Sequence, residues 1–206
     1  MIGLHRVFRD ALAAAPGFVG AAPDDDVARA DLVGSYYDNV MRLLHAHHEG
    51  EDELMTPRLL DRCTPEEAAV VQKIADMHLD VTDDLAGAEA AVAAWRSSGS
   101  AADRDEALAL LARLEATLLS HLDEEEKNVL PIAGRYIEQA EWGELPGHAM
   151  RTFTGDKLWL IIGLAQEQMP PPAIANMEAN MPPPVLAMWN STGRPQFAEF
   201  VGALRG

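Results

Sequence analysis

The chain has 206 residues, 48% of them hydrophobic, which suffices for one domain or one domain with an appendage. Its formal net charge is −17; residues 141–206 carry six acids and four bases, so −15 falls on residues 1–140. That balance argues against nucleic acid and against an anionic membrane as partners, and the one cysteine, Cys63, excludes an intrachain disulfide or a thiolate-rich metal site.

The N-terminus, Met1 to Arg6, develops no apolar run of the signal-peptide kind. The longest apolar stretch, Leu158 to Ala165, is too short to span a bilayer. The expected location is cytoplasmic, in a reducing compartment. Residues 2–15 read as a short helix, with Leu4, Val7, Phe8, Ala11 and Leu12 at helical spacing, His5 in the first turn and Pro16-Gly17 as the stop. A loop over 16–25 ends in Asp24 to Asp26, which cap the next helix. That helix runs from Asp26 to Arg62 through Val33, Tyr36, Tyr37, Val40, Leu43, Leu44, Leu54 and Leu59, with a kink expected at Pro57. Thr64-Pro65-Glu66-Glu67 is a capping box with Pro at the first helical position, and it opens a third helix to Arg96. After the turn Ser97–Ser100, a fourth helix runs from Ala102 through Leu108, Leu111, Leu114, Leu118 and His121, past Pro131 to Ile137. No segment reads as a strand. The expected class is all-α: an up-and-down four-helix bundle over residues 1–140 with a helical C-terminal extension over 141–206.

The second and fourth helices share a motif. His47 and His121 are each followed four residues later by a Glu (Glu51, Glu125), then by a second acid (Asp52, Glu126), and ten residues later by a Pro (Pro57, Pro131). Residues four apart share a helical face, so each copy presents one imidazole and one carboxylate together. Such nitrogen and oxygen ligands suit iron, zinc or manganese. Counted from the turns, His47, His78 and His121 fall within about half a helical turn of one another in depth, and His5 is allowed in the same layer. A lone His on an apolar face is usually core or surface. Here the repeated pairs and the matching depth of His78 argue for a metal bridged by Glu51 and Glu125. His48 is open between metal and solvent. Asp52 and Glu126 are either acceptors that orient His rings or solvated surface. His45 is assigned to solvent, His148 to structure, and Cys63 to no chemistry.

With these motifs the chain resembles, over residues 1–140, the hemerythrin-like His-His-Glu cation-binding domains of the actinobacterial type. The resemblance implies a left-handed four-helix bundle around a non-haem di-iron centre, with two iron ions bridged by oxo or carboxylate groups. Its ligands would be His5; His47 and Glu51; His78; His121 and Glu125. Two departures stand out. Thr82 occupies the place of a second third-helix His, leaving a coordination position open or filled by His48. Glu126, beside Glu125, occupies the place of the usual fourth-helix carboxylate. The implied function is binding of O2, peroxide or NO for sensing, storage or detoxification. The alternatives are a di-iron oxidase, oxygenase or peroxidase acting on peroxide or a small organic substrate, and an iron sensor. In the extension, Pro170–Pro172 and Pro182–Pro184 separate a buried helix from Leu158 to Met169 and a last helix carrying Phe197, Phe200, Val201 and Leu204. Its Met and aromatic side chains are expected to pack on the bundle, as a lid or as the surface of a homodimer.

Overall fold

In the computed structural model, which describes residues 1–206, helices make up nearly the whole chain and no strand forms. Helix α1 (Ile2–Ala13) buries Val7, Phe8, Ala11 and Leu12 along one face, and the single turn α2 (Ala15–Phe18) follows. The Asp26 carboxylate accepts from the Arg29 amide at 2.9 Å and so starts α3 (Val27–Gly50). The same rod continues through a wide turn, Glu51–Met55, into α4 (Thr56–Arg62). Helix α5 (Pro65–Ser98) opens on the expected box: Thr64 Oγ1 accepts from the Glu67 amide at 3.3 Å, and Glu67 Oε2 accepts from the Thr64 amide at 3.0 Å. It ends at Gly99, in the left-handed region at φ 65°, where a Cβ would come within 2.9 Å of the Val27 nitrogen. Helix α6 (Ala101–Glu124) then leads through a second wide turn, Glu125–Val129, into α7 (Leu130–Tyr136).

The two wide turns are π-helical, where a kink had been expected at Pro57. Proline lacks an N–H, and its ring collides with the carbonyl four residues back in an α-helix. Widening the turn relieves the collision, and the Thr56 amide donates to the Glu51 carbonyl, five residues back. The Leu130 amide donates to Glu125 in the same way, ahead of Pro131. A third wide turn, Trp189–Gly193, precedes Pro195, with the Arg194 amide donating to Trp189. That third case lies far along the chain from the His/Glu motifs, so the proline is the shared cause.

Helix α1, the α3–α4 rod, α5 and the α6–α7 rod form the four-helix bundle, with α5 packed on α3 and α6, and α1 packed on α6 and α3. The main core of 31 buried residues includes Phe8, Tyr37, Leu44, Val81, Leu85, Trp95, Leu114 and Leu118. A second cluster of eight lies between the wide turns and α5: Met55, Leu59, Val71, Ile74, Val129, Ile132, Ala133 and Ile137. The His/Glu layer sits between these two apolar masses.

After α7 come α8 (Gln139–Trp142), α9 (Glu144–Thr152), α10 (Leu158–Glu167), α11 (Pro171–Ala179), α12 (Pro183–Met188), the third wide turn and α13 (Arg194–Arg205). Leu160, Ile161 and Leu164 of α10 and Val201 and Leu204 of α13 belong to the main core, and α10 packs on α1 and α3. Each such side chain contributes about 1.5–3 kcal/mol by burial. The apolar side chains of the extension thus pack on the bundle. Helix α9 lies along α3 and its wide turn, beside the layer that holds the motifs. No helix is long and apolar enough to cross a membrane.

Candidate metal centre

At 3.6 residues per turn, a row of residues spaced by four drifts about 40° round the helix at each step. A π turn, which takes more residues per turn, corrects that drift. The consequence is two unbroken inner rows, His47, Glu51, Met55, Leu59 and His121, Glu125, Val129, Ala133, in which every member is buried. Each glutamate is the first residue of its wide turn.

Five imidazoles and two carboxylates converge from four helices. Glu51 spans the group: its Oε1 lies 3.4 Å from His47 Nε2, and its Oε2 lies 3.5 Å from His78 Nε2. Glu125 Oε2 lies 3.4 Å from His5 Nε2 and 3.8 Å from His121 Nε2. The His48 ring stacks on His78 at 4.2 Å and stands edge-on to His121 at 5.0 Å, while His5 meets His47 at 5.2 Å. The donor atoms fall into two sets of four, each within 4.8 Å of one another: His48, Glu51, His78, His121; and His5, His47, Glu51, Glu125. Glu51 belongs to both.

These atoms have no other partners. Nε2 of His5, His47, His48 and His78, both nitrogens of His121, Glu51 Oε1 and both oxygens of Glu125 are buried without a hydrogen bond. Leaving such a group unsatisfied costs about 1–3 kcal/mol. Ligands held about 2.0–2.2 Å from one cation stand roughly 3–3.5 Å from each other, and three of the four imidazole–carboxylate distances, at 3.4–3.5 Å, match that spacing, with His121 to Glu125 wider at 3.8 Å. The residues therefore suit a cation in each set.

The outer ring nitrogens are held. His78 Nδ1 pairs with Asp52 Oδ1 at 2.8 Å, and His5 Nδ1 pairs with Glu126 Oε1 at 2.8 Å. Arg9 Nη2 donates to Asp123 at 2.8 Å and to Glu126 at 3.4 Å, fixing the second of these acids. A ring that donates from Nδ1 turns its Nε2 lone pair inward.

Burial governs the protonation states. It lowers His5 to about 4, against the pull of Glu126, and lowers His121 to about 3, aided by the charge of His78. His47 and His48 fall well below the usual imidazole range for the same reason. Burial also opposes a charge on His78, but its bond to Asp52 and the nearby Glu51 carboxylate outweigh that and raise it to about 9. Burial pushes Glu51 up, against the pull of His78, and pushes Glu125 well up, helped by repulsion from Glu51. Four of the five imidazoles are thus held neutral, the form that binds metal.

All seven residues singled out from the sequence meet here, His48 among them. The expected layer of His47, His78 and His121 is realised differently: His48 faces His78 and His121, and His47 faces His5. Thr82 turns away, its Oγ1 donating to the His78 carbonyl at 2.7 Å, and the His48 ring stands beside His78. Glu125 points inward and Glu126 outward. His45 lies at the surface, 3.2 Å from Glu89. His148 is buried on α9 against Gly50, with Nε2 2.9 Å from Glu53 Oε2. The sequence reading missed Arg9 and the residues that close the centre. A cavity of about 10 Å³ touches Glu51, His78 and Glu125, and is otherwise lined by Met55, Thr56, Val71, Ile74, Ala75 and Val129. Met55 and Val129 were signalled by their place four residues beyond each glutamate.

Residues 1–133 match a family model described as the hemerythrin HHE cation binding domain. No curated protein and no solved structure matches the chain.

Proposed function

The chain belongs to the hemerythrin HHE cation-binding domain family, and from that premise we propose that it is a non-haem di-iron protein that binds O2 or a molecule of similar size, such as peroxide or nitric oxide. The observation that carries this reading is the pair of four-ligand sets sharing Glu51, with nine buried nitrogen and oxygen atoms that lack any other partner. One iron would be held by His48, His78, His121 and Glu51, the other by His5, His47, Glu51 and Glu125. A mixed imidazole and carboxylate set suits iron. When bound, the iron pair supplies reversible electron transfer to a small oxidant.

The chain's own residues set what reaches that pair. Met55, Val71, Ile74, Ala75 and Val129 keep bulk water from the carboxylates, and the cavity of about 10 Å³ has room for one water-sized guest. That size favours a diatomic molecule or peroxide over an organic substrate, so binding for sensing, storage or detoxification is preferred to oxygenation of a larger molecule. A second reading, an iron sensor, is favoured by the orphaned atoms themselves: a cation that satisfies them stabilises the fold, so metal occupancy is linked to folding.

The test is to load the purified chain with Fe(II) without oxygen, measure bound iron, admit air and follow the absorption spectrum. A spectral change that reverses on degassing is expected for binding of O2. A chain that takes up no transition metal, or whose His47→Ala and His121→Ala variants bind as before, overturns the proposal.

A further inference from the structure

Met55 is the only sulfur lining the cavity at the centre. The wide turn sets it on the inner row four residues after Glu51, and it is 4% exposed. The cavity's other lining groups are the carboxylates and imidazole of the centre, four aliphatic side chains and the Thr56 hydroxyl. Among these, a thioether is the group that peroxide oxidises most readily. No other methionine lines this cavity. Met41 is buried in the main core and Met181 in the cluster around Trp189, and Met1, Met77, Met150, Met169, Met177 and Met188 are partly open to solvent.

Resting on the reading of the centre given above, we propose that Met55 is a modification site: hydrogen peroxide seated in the cavity transfers an oxygen atom to its Sδ, and the resulting sulfoxide closes the centre. The O–O bond breaks and an S–O bond forms. Sulfur gives up two electrons, and the second oxygen leaves as water with both peroxide protons. The product adds one oxygen atom to a space of about 10 Å³, which is room for about one water. The new atom therefore occupies the place of the guest, and it turns an apolar wall polar. Methionine sulfoxide is reducible by its dedicated reductases, so the closure is reversible. Burial makes the order of oxidation diagnostic. Peroxide arriving from bulk solvent attacks the partly open methionines first, whereas peroxide held at the centre attacks Met55 first.

The experiment uses the full chain loaded with Fe(II), with bound iron counted on the same sample. Hydrogen peroxide is added stepwise, and the methionine-containing peptides are weighed by mass spectrometry. The expected result is one added oxygen at Met55 to an extent about tenfold above that at Met188 or Met177, with the spectral response to a second addition of peroxide fading in step. Met55→Leu keeps the side-chain volume nearly constant, and its response, whatever its initial size, is expected to fade more slowly over repeated additions than that of the wild type, each protein being compared with its own first addition. Oxidation of the partly open methionines ahead of Met55 overturns the proposal, as does loss of response in Met55→Leu at the wild-type rate. A chain that binds no iron overturns the centre itself, whereas a loaded chain with Met55 unmodified overturns only the role of Met55.

Discussion

Asp52 Oδ1 lies 2.8 Å from His78 Nδ1, so the residue that follows Glu51 in sequence holds a histidine of the neighbouring helix by its outer edge. Glu126, which follows Glu125, does the same for His5 at 2.8 Å. Adjacent residues on a helix point about 100° apart. One acid of each pair therefore enters the bundle, while the next reaches round to the outer edge of the ring beside it. The repeated acid pair is a single device with an inner and an outer half.

Asp52→Asn and Glu126→Gln remove the charge of the outer half and leave its shape. Each is expected to lower metal affinity by about 10–100-fold, measured by competition with a chelator, with the helical circular dichroism unchanged. Arg9→Ala should weaken affinity by less, since it acts on His5 only through Glu126. Unaltered affinity in both carboxylate variants would show that the outer bonds do not orient the ligands.

Glu51 and His48 differ in reach. Glu51 stands in both ligand sets and His48 in one. Glu51→Ala should therefore abolish metal binding, whereas His48→Ala should reduce it from about two ions per chain to about one. Elemental analysis after desalting reads the difference directly. Equal loss in both variants would contradict the division into two sets.

Much of this centre was legible because helical spacing fixes depth. The distance of each histidine from its turn placed His47, His78 and His121 at one level, and the repeat singled out Glu51 and Glu125. Depth does not fix direction round the axis. Two adjacent histidines can both enter a bundle when one faces α1 and the other faces α5 and α6, and that is how His47 and His48 divide. Asp52 and Glu126 were ambiguous because a surface acid and a ring-orienting acid are the same residue type. Pro57 and Pro131 signalled a break in the α ladder but not its form. The apolar run from Leu158 signalled a buried helix, but which bundle helices receive Leu160 and Leu164, namely α1 and α3, depends on tertiary packing that no local pattern encodes.

The orphaned carboxylate of Glu125 makes an opposite pair of predictions for stability. Without metal, a buried group lacking partners costs about 1–3 kcal/mol. Glu125→Leu should raise the stability of the metal-free chain by about that amount. It should also cancel most of the thermal stabilisation that iron confers on the wild type. Denaturant unfolding of both proteins, with and without metal, measures the two effects. A metal-free Glu125→Leu that is less stable than wild type would mean that the carboxylate has partners in solution.

The prolines of the two site turns can be compared with the third. Pro57→Ala and Pro131→Ala restore a backbone donor and remove the collision that holds each turn wide. They are expected to shift the inner rows and weaken metal binding. Pro195→Ala alters the wide turn Trp189–Gly193, away from the ligands, and should leave affinity as it is. Chelator competition on the three variants separates a local effect from general loosening of the fold.

Acid should loosen the attachment of α8 before it unfolds the bundle. Glu141 accepts from Arg62 Nη1 and Nη2, both at 2.7 Å, and from the Glu138 amide at 2.9 Å. The Arg62 guanidinium, with that amide, lowers Glu141 from 4.5 to about 2. A carboxyl lowered on folding contributes stability that is fully present above its unfolded value, so this tie is intact above pH 4.5. It declines as pH falls from there towards 2 and is lost below. Hydrogen exchange of the amides in α8 and α9, corrected for the intrinsic effect of pH, should therefore accelerate across that window. Glu141→Gln, which cannot titrate, should exchange faster from the start and show no such step. A wild-type profile as flat as that of Glu141→Gln would rule out this ion pair as the tie.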